Sequence, residues 1–166
     1  MTFPKHLGDI LLIDNDALVN IFCDLRFHNS SASQRVITFL LTRFTTIWIP
    51  GVVLNEFYIK KGDKQRQKIL KPYLENEFLN IEKCPLSVGE HELTILVGSR
   101  EENRGEADAL IQIQKAQAYS NFHFRSIQFL TNDRGAMNMA RNLNIEIYPY
   151  RELRNTMREI GITLPG

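Results

Sequence analysis

Short apolar runs alternate along the chain with stretches of helical spacing. Asp9 to Ile13 reads as a first strand. Asp16 sits where an N-cap would, ahead of a helix with Leu18, Val19, Phe22 and Leu25 apolar. His28 to Ser33 is polar and turn-like, and a second helix follows with Val36, Phe39, Leu40 and Phe44 on one face. Thr46 to Ile49 is a compact strand stopped by Pro50-Gly51. Val52 to Tyr58 suits a helix with Val53, Leu54 and Phe57 inward, broken by Gly62-Asp63. Lys64 to Phe78 resumes helical spacing, with Pro72 marking a kink or boundary.

Leu79 to Cys84 alternates weakly as a strand, and Ser87-Val88-Gly89-Glu90 has capping-box spacing before a helix through Leu93, Leu96 and Val97. Gly98 to Gly105 is a charged loop. Glu106 to Ala118 is an amphipathic helix, with Ala107, Leu110, Ile111, Gln114 and Ala118 along its apolar stripe. A strand at Ile127 to Leu130, a helix from Arg134 to Leu143, a strand at Ile145 to Tyr148 and a helix near Glu152 to Ile160 complete the pattern. The alternation predicts an α/β fold: a three-layer α/β/α sandwich around a mainly parallel central sheet. No repeat or linker interrupts it, so residues 1–166 read as a single domain.

The same pattern places carboxylates where strands end. Leu11-Leu12-Ile13 runs into Asp14-Asn15-Asp16. Glu56 falls in the early turns of the helix after the second strand, Glu106 and Asp108 open the amphipathic helix, and Asp133 follows Leu130-Thr131-Asn132. If the strands are parallel neighbours, these points share one edge of the sheet, the edge where α/β proteins bind ligands. Converging like charges raise one another's pKa, and a divalent cation relieves that repulsion. All-oxygen ligation suits Mg²⁺ or Mn²⁺. Each acid also has an ordinary structural reading. Asp16 and Asp133 would cap helices, Glu106 and Asp108 would complement a helix N-terminus, and Glu56 would be a solvated helix residue.

Composition narrows the classes. Net charge is +1, so nucleic-acid contact would need local clustering, as at Lys60, Lys61, Lys64, Arg66, Lys68 and Lys71. Two cysteines, Cys23 and Cys84, do not make a disulfide framework. No apolar run approaches a membrane span, and the N-terminus lacks a secretory pattern, so the expected location is cytoplasmic. The four histidines lack zinc-ligand spacing. No phosphate-binding loop, Gly-x-Gly-x-x-Gly or Gly-x-Ser-x-Gly motif is present.

Four segments together resemble the PIN-domain ribonucleases, toxin-type members included. They are Leu11-Leu12-Ile13-Asp14-Asn15-Asp16-Ala17-Leu18, Ile49-Pro50-Gly51-Val52-Val53-Leu54-Asn55-Glu56, Arg104-Gly105-Glu106-Ala107-Asp108-Ala109-Leu110-Ile111 and Leu130-Thr131-Asn132-Asp133-Arg134. The resemblance implies a PIN-like fold and metal-dependent hydrolysis of RNA phosphodiesters. It implies Asp14, Glu56, Asp108 and Asp133 as ligands of one or two Mg²⁺ or Mn²⁺ ions, with Asp16, Glu106 and Asn132 in support. Arg104, Arg134, Lys60 and Lys64 are candidates to hold the RNA backbone. The family also brings the expectation of an antitoxin partner and of homodimers. Two points depart from the pattern or stay open. Asn132 stands where relatives often carry an acid, and Glu106 and Asp108 lie about 200° apart on a helix, so they cannot both face one way; the family's phase favours Asp108.

Two other classes compete. A haloacid-dehalogenase-like phosphatase also opens on a strand ending in Asp-x-Asp, which Asp14-Asn15-Asp16 satisfies. No acid follows within Arg134 to Asn138, however, and Glu56, Glu106 and Asp108 would have no role. A catalytically inactive PIN-like binding module is the non-enzyme alternative, supported by Asn132.

Overall fold

The computed structural model describes residues 5–59, 63–76, 79–85, 104–118 and 122–166. The helix expected from Ser87 through Val97 lies outside the described residues, as do Lys60 and most of the charged loop before Gly105. Five strands, β1 (Lys5–Ile13), β2 (Thr46–Ile49), β3 (Ile81–Lys83), β4 (Phe122–Thr131) and β5 (Ile147–Pro149), form one sheet in the order β3-β2-β1-β4-β5. Every pairing is parallel, so the sheet is wholly rather than mainly parallel.

Strand alternation builds a core on each face, as expected for a sheet covered on both sides. Leu11 and Ile13 of β1, Ile47 and Ile49 of β2 and Leu130 of β4 point into the first core. That core is closed by helices from the segment 15–75 and by the C-terminal helix. These are α1 (Asn15–Val19), a π-turn (Asn20–Asp24), α2 (Leu25–His28), α3 (Ser30–Arg43), α4 (Gly51–Ile59), α5 (Asp63–Glu75) and α8 (Tyr150–Glu159). Ile10, Leu12, Trp48, Ile127 and Phe129 point the other way, against α6 (Arg104–Ala118) and α7 (Arg134–Asn142). Register aligns Trp48, Leu12 and Phe129 across three strands, and Trp48 Nε1 donates to Glu82 Oε1 at 3.0 Å on β3. The three-layer sandwich is the architecture the alternation predicts.

Local differences have local causes. β1 and β4 run past the apolar segments that reveal them in sequence, because each is paired along its length with the other. The turn expected from His28 to Ser33 shrinks to Asn29, whose Oδ1 accepts from Ala32 N–H at 3.0 Å and caps α3. Pro72 lies inside α5 without ending it. The α6 stripe is shifted: Ala109, Leu110 and Ile113 are fully buried and Gln112 nearly so, whereas Gln114 is exposed.

One glycine is required by geometry. The β1–β4 register shifts at Gly8, which takes φ +65°, and a Cβ there would lie 2.3 Å from Thr45 Oγ1. Gly8→Ala is expected to cost about 1–2 kcal/mol for the left-handed backbone alone, with the clash in addition. A fall in the urea midpoint at unchanged m-value checks it.

Candidate functional site

Strand order reverses between β1 and β4. The connection after β1 leads to β2 and β3 on one side, while β4 and β5 lie on the other. In open parallel sheets the crevice beyond the strand ends at such a point is the usual ligand site. Asp14 stands one residue past β1 and Asp133 two residues past β4, so the first and last predicted acids flank that crevice.

Thr131, the last residue of β4, joins them. It is fully buried. Its hydroxyl donates to Asp14 Oδ2 at 2.9 Å, lies 3.4 Å from Asp16 Oδ1, and accepts the Asp133 backbone N–H at 3.1 Å. A hydroxyl has one proton, and it goes to the nearer Asp14 oxygen. Asp14 is 3% exposed; its Oδ1 accepts from Asn15 N–H at 2.8 Å, and its backbone N–H donates to Leu130 O at 2.9 Å. In the sequence Thr131 stands out only as part of the Leu130-Thr131-Asn132-Asp133 motif. A hydroxyl at the end of a buried strand, between two acidic turns, was the signal that could have found it.

The helix cap is Asp14, not Asp16. Asp16 lies inside the first turn of α1, where Oδ1 accepts from Ala17 N–H at 2.8 Å and Oδ2 from Asn132 N–H at 2.9 Å. It therefore ties α1 to the turn after β4. Burial pushes its carboxyl above the usual 3.8, and the Asp133 charge acts in the same direction. The bonds from the Ala17 and Asn132 N–H groups offset part of that shift. Asp133 caps α7, with Oδ1 accepting from Gly135 N–H at 2.8 Å. Its Oδ2 receives no hydrogen bond among the described residues. Capping and facing the crevice are thus both open to Asp133.

The remaining acids are placed by their helices. Glu56 lies in the second turn of α4, and Glu106 and Asp108 lie near the start of α6. α4 packs against α1 and against α6, and α6 packs against α7, so the helices bearing the predicted acids are successive neighbours. Three residues separate Ala118 from Phe122. The end of α6 is therefore tethered to the start of β4, which sends its first turn toward the opposite, carboxyl edge of the sheet. The side chains of Glu56, Arg104, Glu106, Asp108 and Lys64 lie outside the described residues. Arg134 is exposed at the first position of α7, next to Asp133.

The donors suit a hard divalent cation. They are carboxylate oxygens, together with the Asn15 amide oxygen, which is buried and has no hydrogen-bond partner among the described residues. Among the described residues no three His, Cys, Asp or Glu are grouped closely enough to hold a metal. A cation at this edge therefore needs Glu56 or an acid of α6 to complete its shell.

Thr131→Val keeps the shape but leaves Asp14 Oδ2 without that donor and the Asp133 N–H without that acceptor. The expected loss is about 1–3 kcal/mol by chemical denaturation, with Thr131→Ser losing less. Asp16 supplies a pH signature. Its raised folded-state pKa contributes stability that is fully present below 3.8 and is lost as pH rises through the raised value. In EDTA the wild type should therefore gain stability over Asp16→Asn as pH falls from about 7 toward about 5. Parallel urea titrations of the two proteins would read this.

No protein-family model matches the chain, and no curated protein matches it in sequence.

Proposed function

We propose that the protein is a metal-dependent nuclease that hydrolyses RNA phosphodiester bonds. The observation that carries the proposal is the acidic crevice at the reversal of strand order, where Thr131 links Asp14 to the turn bearing Asp133. In this proposal Asp14, Glu56, Asp108 and Asp133 hold Mg²⁺ or Mn²⁺. The metal supplies charge neutralisation at the phosphate and lowers the pKa of the attacking water.

The chain's own residues divide the remaining work. Thr131 fixes the rotamer of Asp14, and its shared contact with Asp16 keeps the first and fourth acidic segments in register. Asp16 takes the orienting role in this proposal, its two oxygens tying the start of α1 to the turn after β4 through the Ala17 and Asn132 N–H groups. Arg134 is exposed at a helix N-terminus, where a cation gains nothing from the helix dipole. A phosphate of the RNA backbone would compensate it there. Glu106 and Asn132 support the site.

A second reading is favoured by Asn132, an amide where the resembled family often carries an acid and hence a weaker ligand at this edge. On that reading the domain holds RNA or a partner without cutting.

Incubation with structured and unstructured RNA oligonucleotides in Mg²⁺, Mn²⁺ or EDTA separates the two. Cleavage should require the metal. Asp14→Asn should lower the rate by more than the roughly 10- to 100-fold typical of losing a group that only orients a ligand. Cleavage that persists in EDTA or in Asp14→Asn removes the proposed mechanism. Metal-insensitive RNA binding without cleavage supports the holding module.

A further inference from the structure

The segment after α8 returns to the acidic edge. Ile162 and Leu164 are each 4% exposed and belong to the first core, which anchors the segment. Beyond Leu164 the hold is polar. Tyr150 Oη donates to Pro165 O at 2.6 Å, and the Arg154 guanidinium, stacked 5.2 Å from the Tyr150 ring centroid, donates to Gly166 O. The tip this clamp presents lies against two amides. A Cβ on Gly166 would sit 2.7 Å from Asn20 Nδ2 and 2.9 Å from Asn132 Nδ2.

Those amides belong to the site's rim. The Asn132 backbone N–H is the donor to Asp16 Oδ2. Asn20 opens the π-turn and hydrogen-bonds Tyr150. Such turns inside helices recur at functional positions, because the extra residue re-aims side chains. Here the turn brings one amide to Tyr150 and to the tip.

We propose that residues 162–166 form a strap whose tip, clamped by Tyr150 and Arg154, covers the Asn20 and Asn132 amides and restrains access of a phosphodiester backbone to the acidic crevice. The inference rests on the nuclease reading for the identity of the substrate, and on geometry alone for the covering. Amide N–H groups beside an acidic cluster are suitable donors to phosphate oxygens. The tip occupies their space while contributing no apolar burial as deep as that of Ile162 and Leu164. Two hydrogen bonds hold it there, whereas the anchor is packed in the first core.

Two measurements test it. Asn132→Cys is labelled with a thiol reagent and quantified by peptide mapping, with buried Cys84 as an internal reference. Adding Arg154→Ala should speed labelling about fivefold, the scale of one hydrogen bond, and Arg154→Lys should largely restore the slow rate. Tyr150→Phe, which removes only the hydroxyl, should act in the same direction as Arg154→Ala and guards against misfolding of that variant. Equal labelling rates in all four proteins overturn the strap.

With Asn132 intact, Arg154→Ala should lower KM for an RNA oligonucleotide several-fold at nearly unchanged kcat. An unchanged or raised KM overturns the restraint. If labelling accelerates while neither protein cleaves RNA, the covering stands and the nuclease proposal fails.

Discussion

The parallel pairing of β1 with β4 is the constraint on which the rest depends. Ile10 to Ile13 are fully buried between two helical layers, and their ladder continues past the strand, where Asp14 N–H donates to Leu130 O. Midway along β1 Ser126 and the Arg125 guanidinium hydrogen-bond Asp9 and hold its carboxyl below the usual carboxylate range, Arg125 being the larger influence. With the pair pinned at these two points, a slip of β4 would turn its apolar residues to the wrong faces. The register that fills the core also sets Thr131 beside Asp14.

That coupling explains how a carboxylate 3% exposed is tolerated at a strand end. A buried charge is costly unless hydrogen-bonded, and Asp14 receives a helix N-terminal N–H and a hydroxyl. Capping and site-building therefore coincide: the residues that cap α1 and α7 are also the ones brought to the crevice. Asp16 shows the accompanying cost. Its carboxyl is desolvated and faces the charge of Asp133, and its raised pKa records both effects.

The C-terminal helix contributes through one side chain. Tyr150 is buried in the first core, yet its hydroxyl meets Asn20 and Pro165. Burial pushes the phenol up to about 12, so it remains a proton donor to the Pro165 carbonyl throughout the neutral range. The π-turn, the tail and the acidic edge thereby share one structural element. None of the three has a periodic signature that would connect it to the others in sequence.

What the sequence determined by itself follows from local periodicity and solubility. Alternation in β1, β2 and β4, helical spacing between them, and the abrupt appearance of Asp14, Asp16 and Asp133 after apolar runs were sufficient for the α/β sandwich and for the edge of the sheet that carries the acids. Only tertiary structure decided the rest. Asp14 rather than Asp16 caps α1, because the ladder to Leu130 fixes where the strand stops. The buried stripe of α6 runs through Ala109, Leu110 and Ile113 because neighbouring helices, not apolar content alone, set its rotation. Thr131 gained its place beside Asp14, and Gly166 its contact with Asn20, from residues more than a hundred positions away in the chain, and no spacing rule in a linear pattern reaches that far.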